Sequence, residues 1–230
     1  MKMSDKETTI EDAIAQIDDG SSVMIGGFGV PGTPFCLIDE LVRQGQKGLT
    51  VIKNDANETG MGVDHLLANG QVDKLIVTHI GLNPRAIAMM NDNRLDVEFC
   101  AQGILAERIR TAGAGLLGFL TDIGIDTKLS EGKTIIEYEG KPSLIEKSLR
   151  ADFALIHTSR ADTFGNLVYA ASAQNFNPLM AMAAERVLVE TEQLLALGDI
   201  PPETVHTPGP FVDCIVTLSE LTEDYNVVQR

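Results

Sequence analysis

The chain has 230 residues, of which 44% are hydrophobic and 22% charged, and its formal net charge is −15. This composition is typical of a soluble globular protein, and the length suffices to bury a core without disulfides or metal ions. The acid surplus argues against nucleic-acid binding and against binding to anionic membranes, since both require a basic face. The longest apolar run, 112–120, is too short and too rich in glycine to span a bilayer.

The cysteines Cys36, Cys100 and Cys214 are odd in number and widely spaced, and no C-x-x-C motif occurs. This pattern disfavours both a disulfide framework and a zinc site, so we expect three free thiols, no metal and a reducing cytoplasm. The first twenty residues mix acidic and basic side chains and lack the pattern of a signal peptide.

Short apolar segments alternate with helical patterns at intervals of about 25 residues, which is the rhythm of βαβ units. Predicted strands cover 23–25, 49–52, 74–79, 96–100, 152–157, 186–190 and 212–217, and predicted helices cover 10–17, 34–44, 63–68, 84–90, 104–111 and 177–184. Residues 134–146 read as a β-hairpin. The sequence therefore predicts an α/β fold with an open, mostly parallel sheet flanked by helices, and one domain over 1–230.

Three predicted strands end in polar or glycine-rich residues. These ends are the loop 26–32, the pair Asn54-Asp55, and Gln102-Gly103. Ligands of open α/β sheets bind beyond the carboxyl ends of the strands, and these ends meet at one edge of a parallel sheet. We expect the three segments to line one cleft.

The loop after the first strand spells G-x-G-x-x-G with Gly27, Gly29 and Gly32, and Asp55 follows at a distance suited to a ribose-binding acid. One interpretation is therefore a nucleotide (NAD)-binding oxidoreductase, in which the following helix offers free N–H groups to phosphates. A tight turn without ligand is another. Pro31 and Pro34 argue against the dinucleotide because proline lacks an N–H.

Other polar residues offer weaker indications. The primary amide of Gln102 can donate hydrogen bonds to a developing oxyanion, or it can simply begin a helix. His79 can reach the cleft, although a structural role is favoured, and His157 reads as a core residue. Glu58 can act as a base or nucleophile, although a solvated loop acid is the simpler interpretation. No hydrolase triad and no H-E-x-x-H motif is apparent.

Several segments together resemble the alpha-type subunit of family I coenzyme A transferases. Residues 26–34, Gly-Gly-Phe-Gly-Val-Pro-Gly-Thr-Pro, are similar to the family's G-G-F-x-x-x-G-x-P loop. Residues 102–115 resemble its P-Q-G-T-L-x-E-x-I-R-x-G-G-A-G block after the proline. Further similar blocks follow in the same order at 149–156, 162–167, 173–178 and 207–209. The resemblance covers nearly the whole chain from about Val23 to Val216.

The resemblance implies a CoA-transferase fold and ping-pong transfer of CoA from an acyl-CoA to a free carboxylate. In this family the thioester is attacked by a glutamate that lies in an E-N-G motif of the beta-type subunit. No E-N-G motif occurs here. The resemblance thus implies one half of an enzyme, which forms an α2β2 complex with a beta-type subunit. Coenzyme A thioesters and small carboxylic acids are then substrates, and no cofactor is bound permanently.

The resemblance also assigns site residues. Gln102 and Asn54 match amides near the reacting thioester, and the glycine loop matches the CoA-binding signature. That loop comprises Gly26, Gly27, Phe28, Gly29, Val30, Pro31 and Gly32. Residues 54–55 and 78–84 look most like the subfamily that uses acetate or butyrate with acetoacetate, and less like the 3-oxoadipate and succinyl–3-oxoacid types.

Three residues depart from the family pattern. Ala101 replaces the usual proline, Ile104 the usual threonine, and Asp126 a usual glycine. We expect the Asp126 carboxylate to lie close to the acyl end of the substrate, which leaves the acid substrate open. A noncatalytic module without a partner is a further alternative, and an adjacent reading frame with an E-N-G glutamate would exclude it.

Overall fold

The computed structural model describes residues 6–225, so the ends of the predicted domain 1–230 lie outside the described residues. Within this range the strands are, in chain order, β1 (Ser22–Ile25), β2 (Leu49–Ile52), β3 (Val72–Val77), β4 (Asp96–Phe99), β5 (Gly118–Thr121), β6 (Ile135–Tyr138), β7 (Lys141–Lys147), β8 (Ala151–Thr158), β9 (Arg160–Asp162), β10 (Leu167–Val168), β11 (Ala184–Thr191), β12 (Leu194–Leu195) and β13 (Cys214–Thr217). The α-helices are α1 (Ile10–Ile14), α2 (Phe35–Gln44), α3 (Val63–Ala68), α4 (Pro84–Asn91), α5 (Gln102–Gly113) and α6 (Asn177–Ala183).

Seven strands form one parallel sheet in the order β13-β11-β8-β1-β2-β3-β4. This confirms the predicted α/β class and its parallel sheet. From β1 the chain first builds outward through β2, β3 and β4, and it then returns to the other side of β1 with β8. The neighbours β1 and β8 therefore form the topological switch point, where such sheets open a crevice at their carboxyl edge.

Helices cover both faces of this sheet, and alternate residues of the central strand face opposite layers. Val23 and Ile25 belong to a core cluster with the α2 side chains Leu37 and Leu41. Met24 belongs to a second cluster that includes Met180 of α6. A strand buried on both faces reads as a continuous apolar run, which explains why period-two alternation is missing from residues 23–25.

The predicted hairpin is confirmed as β6 and β7, which pair antiparallel. The sequence prediction missed β5, which pairs antiparallel with β7 and completes a three-stranded sheet. Several apolar side chains of this small sheet are exposed, so β5 lacks the inside–outside alternation that marks a strand. The two- and three-residue strands β9, β10 and β12 form another small sheet and were also missed.

Several boundaries differ from the prediction, among them the ends of α1 and β3. Helix α1 ends at Ile14 instead of residue 17, after an N-cap in which Thr9 accepts a hydrogen bond from the Asp12 N–H. Strand β3 ends at Val77, so Thr78 and His79 lie beyond it, at the carboxyl edge of the sheet. No helix of the described residues is long and apolar enough to cross a membrane.

Candidate functional site

The glycine loop after β1 is closed by its own hydrogen bonds. The Phe28 N–H donates to the Pro31 carbonyl at 3.1 Å, and the Thr33 N–H donates to the Val30 carbonyl at 3.1 Å. The Thr33 hydroxyl also donates to the Gly29 carbonyl at 2.7 Å. The loop is therefore a compact turn that is held without a ligand.

Close packing explains the glycines at two loop positions. Gly26 lies so near Asn177 that a Cβ would stand 1.8 Å from the Asn177 Oδ1. Gly27 has a φ of +100°, and a Cβ there would stand 2.1 Å from the Thr33 Oγ1. Both distances are shorter than any real contact, so side chains are excluded at these positions.

The N–H groups that a dinucleotide would need are already occupied. The Phe28 and Thr33 N–H groups serve the loop itself, and the Gly29 N–H donates to the Asp55 Oδ2 at 2.8 Å. The Asp55 carboxylate therefore binds the loop itself and does not serve as the acid that would bind a ribose hydroxyl. This geometry gives no support to the NAD alternative.

The N-terminus of α2 is also occupied, contrary to the expectation that it offers free N–H groups. The Leu37 N–H donates to the Glu190 carboxylate at 2.9 Å, and the Phe35 N–H donates to the Tyr225 hydroxyl at 3.0 Å. An anionic side chain of the protein itself therefore takes the place that a ligand phosphate would need.

The structure brings Asn54 and Gln102 together. Asn54 follows β2 and is fully buried, while Gln102 begins α5 and is exposed. The Gln102 Nε2 donates to the Asn54 Oδ1 at 2.8 Å. The Asn54 Nδ2 in turn donates to the Asp55 Oδ2 at 3.0 Å. Because Asp55 also accepts from Gly29, the three predicted strand ends meet at one edge of the sheet.

A cavity of about 600 Å³ lies beside the glycine loop. Residues 28–32 form one wall, and residues 55–58 form another. Phe28, 48% exposed, contributes an apolar surface, as do Ile80 and Leu82. Residues 28–32 of the predicted loop thus border a space large enough for a small ligand, whereas Gly26, Gly27, Asn54 and Gln102 stand outside its lining.

The ionisable side chains of the described cavity wall are three acids, two histidines and Tyr225. Asp55, Glu58 and Glu192 contribute carboxylates, and His79 and His157 contribute imidazoles. Within residues 6–225, no lysine or arginine lines this space. The part of the cavity wall that the structure describes therefore provides no permanent cation for an anionic ligand group.

His157 is buried, as the sequence prediction had it, but it also lines the cavity. Its Nδ1 lies 2.8 Å from the Glu190 carboxylate, and its Nε2 lies 3.2 Å from that of Glu192. Burial lowers the pKa of His157, but the hydrogen bonds and charges of the two glutamates outweigh this and leave the pKa raised. The Tyr225 hydroxyl also donates to Glu190, and burial raises its pKa.

Sequence reasoning missed Glu190, Glu192 and Tyr225. Glu190 stands near the carboxyl end of β11, and Glu192 follows that strand directly. Ligands of open α/β sheets bind beyond the carboxyl ends of the strands, and this rule singled out Asn54. The same rule would have found both glutamates, because they lie at the end of a predicted parallel strand close to the switch point. Tyr225 gives no such signal, since it lies in a short turn after the last strand.

Two further candidates from the sequence lie at the cavity, and the three residues that depart from the family pattern do not. His79 is exposed and lines the cavity, with its Nδ1 3.0 Å from the Thr78 hydroxyl. Glu58 also lines the cavity. Ala101 is the N-cap of α5 without a side-chain hydrogen bond, and the Ile104 side chain is buried. Asp126 has a φ of +60° on an exposed loop after β5 and stands outside the described lining of the cavity.

The family model for coenzyme A transferase matches residues 7–218. The chain belongs to the coenzyme A transferase family. This confirms the resemblance drawn from the loop 26–34 and from the block at 102–115.

Several relatives match over nearly their whole length, of which three illustrate the range of names. The alpha subunit of a probable coenzyme A transferase from Bacillus subtilis is 49% identical over 92% of this chain and 93% of its own. The alpha subunit of the Escherichia coli acetate CoA-transferase is 44% identical over 95% and 99%. A 3-oxoadipate CoA-transferase subunit from Acinetobacter baylyi is 41% identical over 93% and 95%. The chain is thus an alpha-type subunit of this transferase family.

The fold also matches solved structures. An acyl-CoA transferase from Escherichia coli O157:H7, crystallised as a thioester complex with CoA, superposes with a TM-score of 0.84 at 20% sequence identity. The match covers 96% of this chain but only 48% of that one. This likeness confirms the predicted CoA-transferase type of fold.

Proposed function

We propose that the chain is the alpha subunit of a short-chain acyl-CoA:carboxylate CoA-transferase that works with a beta-type subunit. The substrates are acetyl-CoA or butyryl-CoA and acetoacetate or a similar acid. The beta subunit supplies the nucleophilic glutamate, because this chain contains no E-N-G motif. The hydrogen bond between the Asn54 and Gln102 amides, at the carboxyl edge of the sheet and beside the glycine loop, supports this proposal most directly.

The reaction proceeds in two halves. The partner's glutamate attacks the thioester carbonyl, and loss of the CoA thiolate leaves an acyl–glutamyl anhydride. The thiolate then attacks the anhydride at the glutamyl carbonyl, which releases the free acid and leaves an enzyme–CoA thioester. The second carboxylic acid reverses these steps. Each half thus replaces one difficult exchange by easier covalent steps.

This chain contributes hydrogen-bond donors to those steps. Negative charge develops on the thioester oxygen during each attack, and preorganised amide donors stabilise it. The buried Asn54 holds the exposed Gln102 in place through the 2.8 Å hydrogen bond. Neither amide titrates, so the donors work over the whole neutral pH range.

The glycine loop forms a wall for coenzyme A. The exposed Phe28, together with Val30 and Pro31, presents apolar surface next to the cavity. Such surface suits the uncharged pantetheine arm and a short acyl chain. Gly26 and Gly32 let the loop pack closely on α6 and the turn before it.

The acid substrate is a monocarboxylate. The relatives differ in substrate, since one is named for acetate and another for 3-oxoadipate. The described cavity wall carries the acids Glu58 and Glu192 and offers no lysine or arginine that could pair with the second carboxylate of a dicarboxylic acid. The imidazole of His157 is already engaged by two glutamates. Transferring such a carboxylate out of water without a partner is costly.

Co-expression with the beta subunit encoded by an adjacent reading frame tests this function. We expect an α2β2 complex in the cytoplasm, with no permanent cofactor, that exchanges CoA between acetyl-CoA and acetoacetate. The lone chain is inactive and binds CoA in preference to NADH. Robust exchange by the lone chain, or a preference of the complex for succinyl-CoA or 3-oxoadipate, contradicts the proposal.

A further inference from the structure

Asp55 stands where the glycine loop meets the amide pair. Its Oδ2 accepts hydrogen bonds from the Gly29 N–H at 2.8 Å and from the Asn54 Nδ2 at 3.0 Å. Its Oδ1 accepts from the Asn57 N–H at 2.9 Å, and the Asn57 side chain donates to the Gly29 carbonyl at 2.9 Å. One buried carboxylate thus joins the loop after β1 to the residues after β2.

The charge of Asp55 determines the orientation of the neighbouring amides. An ionised carboxylate only accepts hydrogen bonds, so Asn54 must turn its amino group toward Asp55. The Asn54 oxygen then faces Gln102, so Gln102 must donate a hydrogen bond to it from its Nε2. Two neutral amides alone could pair in either sense, because an amide flip exchanges donor and acceptor. Asp55 removes this ambiguity.

Lys53 completes the arrangement from inside the protein. Its side chain is fully buried, and its Nζ lies 3.6 Å from the Asp55 Oδ1. This is an ion pair beyond hydrogen-bond distance. Burial raises the pKa of Asp55, but the Lys53 charge and the hydrogen bonds from Gly29, Asn54 and Asn57 outweigh it and hold the pKa below its usual range. The carboxyl group is therefore ionised at neutral pH.

We propose that Asp55 is a positioning residue for CoA transfer, which fixes the amide orientation of Asn54 and through it the N–H groups of Gln102. The inference rests on the proposed function, because that function places Gln102 at the thioester. A flip of Gln102 exchanges its Oε1 and Nε2, and this puts an acceptor where the oxyanion needs a donor. Both Asp55 oxygens accept hydrogen bonds from the protein itself, so Asp55 acts through Asn54.

A double-mutant cycle in the reconstituted complex tests this inference. Asp55→Asn keeps the size of the side chain but removes its charge. We expect kcat to fall about ten- to a hundredfold in the wild-type background, within the range for loss of one oxyanion donor. In a Gln102→Ala background the same change should lower kcat by less than about threefold, because residues that act as a unit are not additive.

Asp64 provides a matched control. It is a buried acid that accepts hydrogen bonds from the Gly60 N–H at 2.8 Å, the Asn83 Nδ2 at 3.1 Å and the Arg85 Nε at 3.0 Å. Asp64→Asn therefore removes a comparable buried charge away from the amide pair. We expect it to lower the unfolding temperature of the complex while kcat changes less than about twofold and additively with Gln102→Ala. If Asp55→Asn does not fold, the smaller Asp55→Ser takes its place in the cycle.

A spectroscopic measurement separates this inference from the proposed function. The side-chain NH₂ signals of Gln102 are assigned in ¹⁵N-glutamine-labelled full chain by their loss in Gln102→Ala. Asp55→Asn should shift them, and Asp64→Asn should leave them in place. This result is expected even for a complex that transfers no CoA. Unshifted signals, or full additivity in the kinetic cycle, overturn the positioning role of Asp55.

Discussion

The carboxylate of Glu190 accepts a hydrogen bond from the backbone N–H of Leu37 at 2.9 Å. Glu190 lies near the carboxyl end of β11 and Leu37 in the first turn of α2, so the positive end of the helix is neutralised from within the protein. The same carboxylate accepts from the Tyr225 hydroxyl and is bonded to His157. The chain thus completes this side of the cavity with its own charges.

Replacing Glu190 by glutamine should lower the pKa of His157. The raised pKa depends on the hydrogen bond and charge of Glu190, acting against burial. A histidine whose folded-state pKa is raised stabilises the fold fully at pH below its unfolded value of about 6.5, and this contribution is lost as pH rises through the folded value. NMR titration of the His157 ring measures the pKa directly.

Glu190→Gln should also destabilise the fold, and most strongly at the low pH at which His157 is protonated. We expect a loss of about 1–3 kcal/mol in the free energy of unfolding near pH 6, because a buried hydrogen-bonded charge is removed. The loss should shrink as pH rises above the folded pKa of His157. Glu192→Gln is the control, since this partner is 42% exposed and its bond of 3.2 Å is longer. Equal pKa shifts in the two variants would contradict this account.

The three thiols should differ in reactivity. Burial, and then the nearby Glu190, raise the pKa of Cys36 to about 12. Burial also raises the pKa of Cys100, against the opposing charge of Arg108. Cys214 is only partly buried. Because the thiolate is the reactive form, iodoacetamide at pH 8 should label Cys214 first and Cys36 last, as measured by peptide mass spectrometry over time.

Unfolding in urea provides the control for this order. All three cysteines should then react at similar rates, since their protein environments are gone. Rapid labelling of Cys36 in the native chain would show that the α2 N-terminus opens to solvent. It would also be inconsistent with the packing of Tyr225 against Phe35, whose ring centroids lie 5.0 Å apart.

Gly26→Ala should destabilise the chain by about 1–3 kcal/mol, the usual range for overpacking a buried site. The added methyl would stand 1.8 Å from the Asn177 Oδ1, and Asn177 cannot move freely because its Nδ2 donates to the Gly32 and Ala173 carbonyls. Urea denaturation followed by circular dichroism measures the change in unfolding free energy.

Gly81 serves as the matched control for this substitution. It is exposed, and a Cβ there would meet no atom within 4 Å. Gly81→Ala should change stability by less than about 0.5 kcal/mol, as for most surface positions. Equal stability of the Gly26→Ala and Gly81→Ala proteins would contradict the close contact of the loop with α6.

The main sheet was predictable because each of its strands carries its own local signal. Residues 49–52 and 63–68 were predicted with the observed bounds of β2 and α3, since apolar runs end there near glycine, asparagine or aspartate. Strand β5 was not predictable in this way. Its existence depends on pairing with β7 about 25 residues later, and local periodicity does not encode that pairing.

The site was predictable only in part, for a similar reason. Because the carboxyl ends of parallel strands meet at one edge of the sheet, the sequence predicted that Asn54 and Gln102 lie close together. In the structure a hydrogen bond joins them. The Leu37–Glu190 contact spans residues 153 positions apart in the sequence. No local sequence pattern indicates that an acid at the end of one strand will accept a hydrogen bond from the N-terminus of a distant helix. The sequence alone therefore predicted that the N–H groups at the start of α2 are free to bind a phosphate.

Gln102→Ala should lower kcat of the reconstituted complex by about tenfold to a thousandfold, the range for removing one oxyanion donor. The KM for acyl-CoA should change far less, because the amide acts mainly on charge that develops in the transition state. Steady-state exchange kinetics give both constants. Gln44→Ala is the control, since Gln44 ends α2 and its Nε2 bonds to the Glu11 carbonyl away from the cavity. Unchanged kcat in Gln102→Ala would remove this amide from the transfer step.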